Sequence, residues 1–148
     1  MKIAISGIRH FVLVISLLAF PAIANAANWT PQDRQEFQRI INTQISAFHA
    51  DDAKTAFSFA APLLKRKFSN SSRFMRMVKT GYPAVYRAQN VSFEGLSKEL
   101  GDPTQRVVVT GPDGSRWLAL YGFQKQSDGS WRISAVVITK APGASAQA

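Results

Sequence analysis

The stretch QRVVVTGPDGSRWLALYGF, from Gln105 to Phe123, decides the fold class. A β-branched run ends at Thr110, Gly111-Pro112-Asp113-Gly114 turns the chain, and Trp117, Ala119, Tyr121 and Phe123 then fall on every second position. Alternation with period two is the signature of a strand with one buried face. A tight Pro-Asp-Gly turn between two such runs makes them antiparallel neighbours. Working outward, Val91 and Phe93 alternate with Ser92 and Glu94, and Gly95 marks a bulge where that strand bends. Gly101-Asp102-Pro103 turns the chain into the run that opens at Gln105. Downstream, Ser127-Asp128-Gly129-Ser130 reads as a hairpin with a two-residue Asp-Gly turn. Trp131, Ile133, Ala135 and Val137 are expected to line one face of a final strand. Four strands joined by short turns form an antiparallel meander.

The residues before Gly81 follow a different period. Thr30-Pro31 is an N-cap followed by proline at the first helical position, with Asp33 placing negative charge in the first turn. Phe37, Ile40, Ile41, Ile45 and Phe48 recur at three or four residues, one apolar stripe on a helix ending near Ala50. Asp51 or Asp52 caps a second helix through Ala53, Ala56, Phe57 and Ala60, which Pro62 stops or bends. Leu63, Leu64 and Phe68 accompany Lys65-Arg66-Lys67, and the polar stretch from Ser69 to Ser72 caps a further helix. There Phe74, Met77 and Val78 share a face beside Arg73, Arg76 and Lys79, and Gly81 ends it. Helices first and an antiparallel meander after them make an α+β domain, with the helices packed on a curved four-stranded sheet.

Residues 1–26 read as a secretory signal peptide. Lys2, Arg9 and His10 precede an apolar run from Phe11 to Phe20, followed by Pro21 and the small-x-small site Ala24-Asn25-Ala26. Cleavage after Ala26 is expected, leaving a single domain over residues 27–140 and a small, polar, disordered tail over residues 141–148. The run is short for a membrane anchor, which needs about 20 apolar residues. The chain has no cysteine. That excludes disulfides, thiolate metal sites, a cysteine nucleophile and a lipidated N-terminus, and with the leader it suits a periplasm. The formal charge is +9, and +7 once Lys2 and Arg9 are gone. Such a surface favours anionic partners, here an anionic envelope component with peripheral membrane contact, and not nucleic acid, to which an exported protein has no access. Dispersed charge also serves solubility alone.

Several segments together carry a resemblance. Gln44-Ile45-Ser46-Ala47-Phe48, Asp51-Asp52-Ala53, Ala60-Ala61-Pro62, Phe74-Met75-Arg76-Met77-Val78, Gly81-Tyr82-Pro83 and Val85-Tyr86-Arg87 resemble the bacterial domain of unknown function 4864 family. So do Gln105-Arg106-Val107, Gly111-Pro112-Asp113-Gly114 and Asp128-Gly129-Ser130-Trp131-Arg132-Ile133. The resemblance runs from about Arg39 to Thr139 and implies no activity or catalytic residues, because that family has none assigned. The order of elements is similar to the nuclear-transport-factor-like cone fold shared with ketosteroid isomerases. The short first hairpin of that fold is expected to be reduced here to residues 62–68.

Groups for chemistry are few. His49 is the one histidine after the leader, and His49, Asp51 and Asp52 lack the further ligands a metal site requires. Glu94 lies opposite the apolar face of its strand, and Glu99 and Asp102 sit at a turn, so no acid is placed for proton abstraction. Phosphate loops and hydrolase elbows are missing, and no catalytic residue, metal or cofactor is assigned. Aromatic residues make the stronger site. Tyr82, Tyr86, Trp117 and Tyr121 can line a ligand pocket, or serve as plain core, while Arg87, Arg106 and Arg132 can ring its mouth, or sit on a solvated sheet face. Lys65, Arg66, Lys67, Arg73, Arg76 and Lys79 place six positive charges within 15 positions with no acid among them. The expectation is a non-enzymatic binding or accessory domain for a small amphipathic or anionic partner. The alternatives are an isomerase- or hydrolase-like enzyme using the same pocket and a module that forms homodimers through its open sheet.

Overall fold

The computed structural model describes residues 29–143. The leader over residues 1–26 and the tail residues 144–148 lie outside them. Of the tail, Ala141 is buried, and its N–H donates to the Arg116 carbonyl at 3.2 Å. Five helices precede the sheet: α1 (Pro31–His49), α2 (Ala53–Ser58), α3 (Pro62–Phe68), α4 (Ser71–Gly81) and the single turn α5 (Pro83–Tyr86). The strands β1 (Asn90–Ser97), β2 (Thr104–Thr110), β3 (Arg116–Lys125) and β4 (Trp131–Lys140) form one antiparallel sheet in the order β1-β2-β3-β4. This is the α+β arrangement of helices on an open meander, consistent with a cone-like fold. No described helix is long and apolar enough to cross a membrane.

The helices start where the chemistry directs them. Thr30 closes a capping box over α1: its hydroxyl accepts from the Asp33 N–H at 3.1 Å, and the Asp33 carboxylate accepts from the Thr30 N–H at 3.0 Å. Asp52 caps α2 and Asn70 caps α4. α2 stops at Ser58, ahead of Pro62, and Pro62 begins α3, because proline suits the first helical position, where its missing N–H has no partner to lose. The stretch expected to be a reduced hairpin is therefore a helix. Its Ala60–Ala61 approach still reaches the sheet, with Ile133 N–H donating to Phe59 and Ala61 N–H to Ile133, both at 2.8 Å.

Phe37, Ile40, Ile41, Ile45 and Phe48 of α1 are buried against Val107, Val109, Ala119, Tyr121 and Phe123 of the sheet. β1 carries the expected bulge: Phe93 pairs with Val107 and Leu96 with Gln105, so Glu94 and Gly95 together face Arg106. A second bulge was not expected. Gly122 pairs with Ala135 and Phe123 with Ile133, which leaves Ser134 as an extra residue in β4. Beyond it the alternation inverts, so Val136 and Ile138 pack on the core while Val137 is exposed. The Asp-Gly hairpin also differs from its expected form. Among its residues only Gly129 has positive φ, at 84°, and Gln126 N–H donates to Ser130, giving a three-residue loop. Asp128 orders it by accepting from the Ser130 N–H at 2.9 Å, as Asp113 does for Ser115 at 3.0 Å in the preceding hairpin.

Candidate functional site

The helices and the sheet do not close on each other everywhere. Between α3, α4 and the edge strand β4 lies a cavity of about 690 Å³, within the range of small-molecule sites. Phe48 of α1, Phe74 and Val78 of α4, and Val85 of α5 form its buried apolar wall. Leu63 and Lys67 of α3 and Thr80 of α4 stand at its exposed mouth. Two fully or nearly fully buried polar side chains, Gln44 and Tyr121, belong to its lining. Gln44, 3% exposed, donates from Nε2 to the Ala56 carbonyl at 3.1 Å and so ties α1 to α2. Tyr121 is fully buried, and its hydroxyl has no hydrogen-bond partner among the described residues.

An unmet hydroxyl in an apolar interior costs about 1–3 kcal/mol, so its presence at a cavity wall is informative. Burial, reinforced by the nearby Tyr82, pushes the Tyr121 phenol well above its ordinary pKa. It therefore remains a neutral donor at any physiological pH. Tyr82 also lines the cavity, but its hydroxyl is engaged, donating to the Val136 carbonyl at 3.0 Å on the free edge of β4. The lining thus includes Tyr121, whose buried hydroxyl has no partner among the described residues, and one cation, Lys67, at the mouth.

The mouth is basic beyond Lys67. Lys65, Arg66, Arg73 and Arg76 are exposed, and no described carboxylate pairs with any of them or with Lys67. Lys79 differs, since it pairs with Asp51 at 3.2 Å. From Ala53 to Phe93 the chain has eight basic residues and no acidic one.

The family model described as Domain of unknown function (DUF4864) matches residues 30–146, the whole of the described fold but one residue. The chain belongs to that family. No curated protein matches it.

In this DUF4864 domain the other aromatic and basic residues singled out by sequence are not brought to the cavity. Tyr86 and Arg87 form a clasp on Asp51. The Tyr86 hydroxyl donates to Asp51 Oδ1, Arg87 donates to Oδ2 at 2.9 Å and to the Phe48 carbonyl at 2.5 Å, and its guanidinium stacks 3.8 Å from the Tyr86 ring centroid. Hydrogen bonds from Tyr86 and Lys79, with Arg87 beside them, hold the Asp51 carboxyl down at about 2. The clasp secures a strained position, because Asp51 has φ 53° in the turn that ends α1. Arg106 lies on the sheet face away from the helices, paired with Glu99 at 2.7 Å and Glu94 at 3.3 Å. Trp117 sits under the Lys140 ammonium at 4.4 Å and borders a separate groove of about 260 Å³. Arg132 donates to the Trp131 carbonyl at 3.0 Å. His49 is exposed, Asp52 is spent on its cap, and no metal-binding cluster occurs among the described residues.

Of the sequence-selected residues, Tyr82, Tyr121 and Lys67 meet at the cavity, and the arginines do not ring it. Gln44, Met77 and Val136 complete the lining without having been singled out as site residues. Gln44 carried a signal: it is a polar residue inside the α1 apolar stripe, between Ile41 and Ile45. Val136 carried none, since its inward orientation depends on a bulge at a serine.

Proposed function

We infer that this domain binds a small amphipathic molecule in the cavity between α3, α4 and β4. The ligand class follows from the lining: an apolar body, an acceptor oxygen that meets the Tyr121 hydroxyl, and an anionic group at the mouth beside Lys67. The observation that carries this reading is a cavity of small-molecule size with a mainly apolar lining, in whose wall stands Tyr121, with a buried hydroxyl that has no partner among the described residues. No carboxylate or imidazole lies in the lining, which favours binding over isomerase- or hydrolase-like chemistry. Export to a periplasm belongs to the same reading, supported by the charged, apolar and small-residue succession of residues 1–26. Expression in a Gram-negative host with N-terminal sequencing tests it: Ala27 as first residue is expected, and an intact Met1 form in washed membranes overturns export.

Gly81 provides the test of the cavity. It lines the mouth, its φ is not positive, and the nearest atom to an added Cβ is Met77 Sδ at 3.9 Å. Gly81→Leu therefore adds a side chain there without backbone strain. A fluorescent fatty acid, 11-(dansylamino)undecanoic acid, should bind the protein from Ala27 onward and lose about tenfold or more in affinity to the Gly81→Leu variant, the cost of about 1.4 kcal/mol of excluded contact. Equal binding to both proteins, or none to either, removes the cavity as the site.

A further inference from the structure

The cavity mouth carries a second feature that a small ligand does not require. Leu63 is 66% exposed, the most exposed large apolar side chain among the described residues. It stands on the same face of α3 as Arg66 and Lys67, three and four residues on. Across the mouth, Arg73, Arg76 and Thr80 follow one another at three and four residues along α4, and Thr80 is itself part of the lining. Arg66 and Lys67 of α3 and Arg73 and Arg76 of α4 therefore flank the opening, with Leu63 exposed on the same face of α3. Lys79, on another side of α4, is the one drawn away to Asp51.

We propose that α3 and the Arg73–Arg76 side of α4 dock on an anionic phospholipid bilayer, with Leu63 entering the headgroup layer and the cavity opening toward the lipid. The proposal rests on the cavity reading for its purpose, exchange of an amphipathic ligand with the membrane, but the docking surface is physically separate from the cavity interior. An apolar side chain amid lysine and arginine gains from both insertion and surface potential, and each cation near an anionic surface contributes comparably. Lysine and arginine stems also lie along the acyl boundary while their heads reach phosphate. Charge complementarity selects this occupant over an apolar partner, because four unpaired cations at one face, Arg66, Lys67, Arg73 and Arg76, oppose burial in a neutral interface.

The test uses the protein from Ala27 onward, which contains every residue of the described core; the apolar run at residues 11–20 would bind lipid by itself. Co-sedimentation is measured with phosphatidylcholine vesicles with and without phosphatidylglycerol. Binding is expected only with phosphatidylglycerol and should fall steeply as salt rises. Arg73→Gln/Arg76→Gln should weaken it about thirtyfold, from roughly 1 kcal/mol per charge. Arg66→Gln/Lys67→Gln provides a second pair should the first disturb folding in a thermal melt. Lys98→Gln/Arg116→Gln removes the same charge just after β1 and at the start of β3 and should leave binding within twofold. Leu63→Ser should weaken it several-fold with an unchanged melting temperature. Absence of binding to phosphatidylglycerol vesicles at low salt overturns the docking surface, and so does an equal loss in the Lys98/Arg116 pair, which would assign binding to net charge alone. Retention of 11-(dansylamino)undecanoic acid by the Arg73→Gln/Arg76→Gln variant without vesicles separates the two proposals. If the probe never binds while vesicles do, the cavity reading fails and the docking surface stands.

Discussion

Phe123 and Tyr121 stand two residues apart on the same face of β3, both fully buried, yet their surroundings are opposite. Phe123 is stacked by Phe37 at 4.3 Å between centroids, and Trp131 meets the same Phe37 edge-on at 4.9 Å while donating from Nε1 to Asp33 at 2.9 Å. That end of the helix–sheet layer is filled and pinned to the first turn of α1. At Tyr121 the layer opens instead into the cavity, and the hydroxyl goes unmatched. Burial therefore has two meanings in this molecule. At Phe123 it means close packing, and at Tyr121 it means exclusion from bulk water beside space for something else.

The largest effect should come from emptying the filled end. Phe37→Ala removes a ring that touches both Phe123 and Trp131, and about 3–5 kcal/mol of stability should be lost in denaturant melts. Leu63→Ala, at the cavity mouth, should change stability by no more than about 0.5 kcal/mol. Similar losses for both would erase the contrast between the two ends. Tyr121→Phe comes next. Removing an unmatched hydroxyl while keeping the ring should leave stability level or raise it by up to about 1 kcal/mol. A clear loss would show that the hydroxyl is matched in the folded protein and that the cavity end is more complete than its lining indicates.

The smallest effect should be read in acid. Lys79, Tyr86 and Arg87 hold Asp51 just beyond the segment in which Thr80, Gly81 and Tyr82 form the cavity wall. The Asp51 carboxyl sits at about 2, below its ordinary 3.8, so the clasp stabilises the fold fully above that ordinary value. Its contribution is lost as pH falls from there through 2. Hydrogen exchange at low pH should then loosen the amides of Tyr82 and Val85 before that of Phe123. Simultaneous loss at both places would mean that the clasp does not govern the cavity wall separately. Asp51→Gly should also be less harmful than Asp51→Ala, because both lose the clasp but only alanine keeps the strain of φ 53°.

Much of the fold was legible because it is written in local chemistry. The caps Thr30 and Asn70, the α1 stripe, the Gly95 bulge and the Pro-Asp-Gly turn each depend on neighbours within four residues. The misread elements have a common cause. Proline at position 62 is compatible with ending a helix or starting one, and only the Ile133 backbone, fixed at 2.8 Å from Phe59 and Ala61, decides where α2 stops and α3 starts. The extra residue Ser134 inverts the faces of β4, and serine carries no local bulge signal.

The candidate site was less legible for the same physical reason. Tyr82 and Tyr121 were recognised as able to line a pocket, but so were Tyr86 and Trp117, and residue type alone did not separate them. The sequence by itself determined the α+β class, the order of helices and strands, the cysteine-free chemistry, and a run of cations between Lys65 and Lys79. Composition and short-range periodicity suffice for these, because each is set by single residues or by neighbours in the chain. Only the tertiary structure decided that Tyr86 and Arg87 hold Asp51, that Arg106 turns to Glu94 and Glu99, and that Lys67 and Tyr121 share one cavity. Those pairings join residues far apart in the chain, and how far helices stand from a sheet is set by the sum of all their packed side chains, a quantity no local pattern contains.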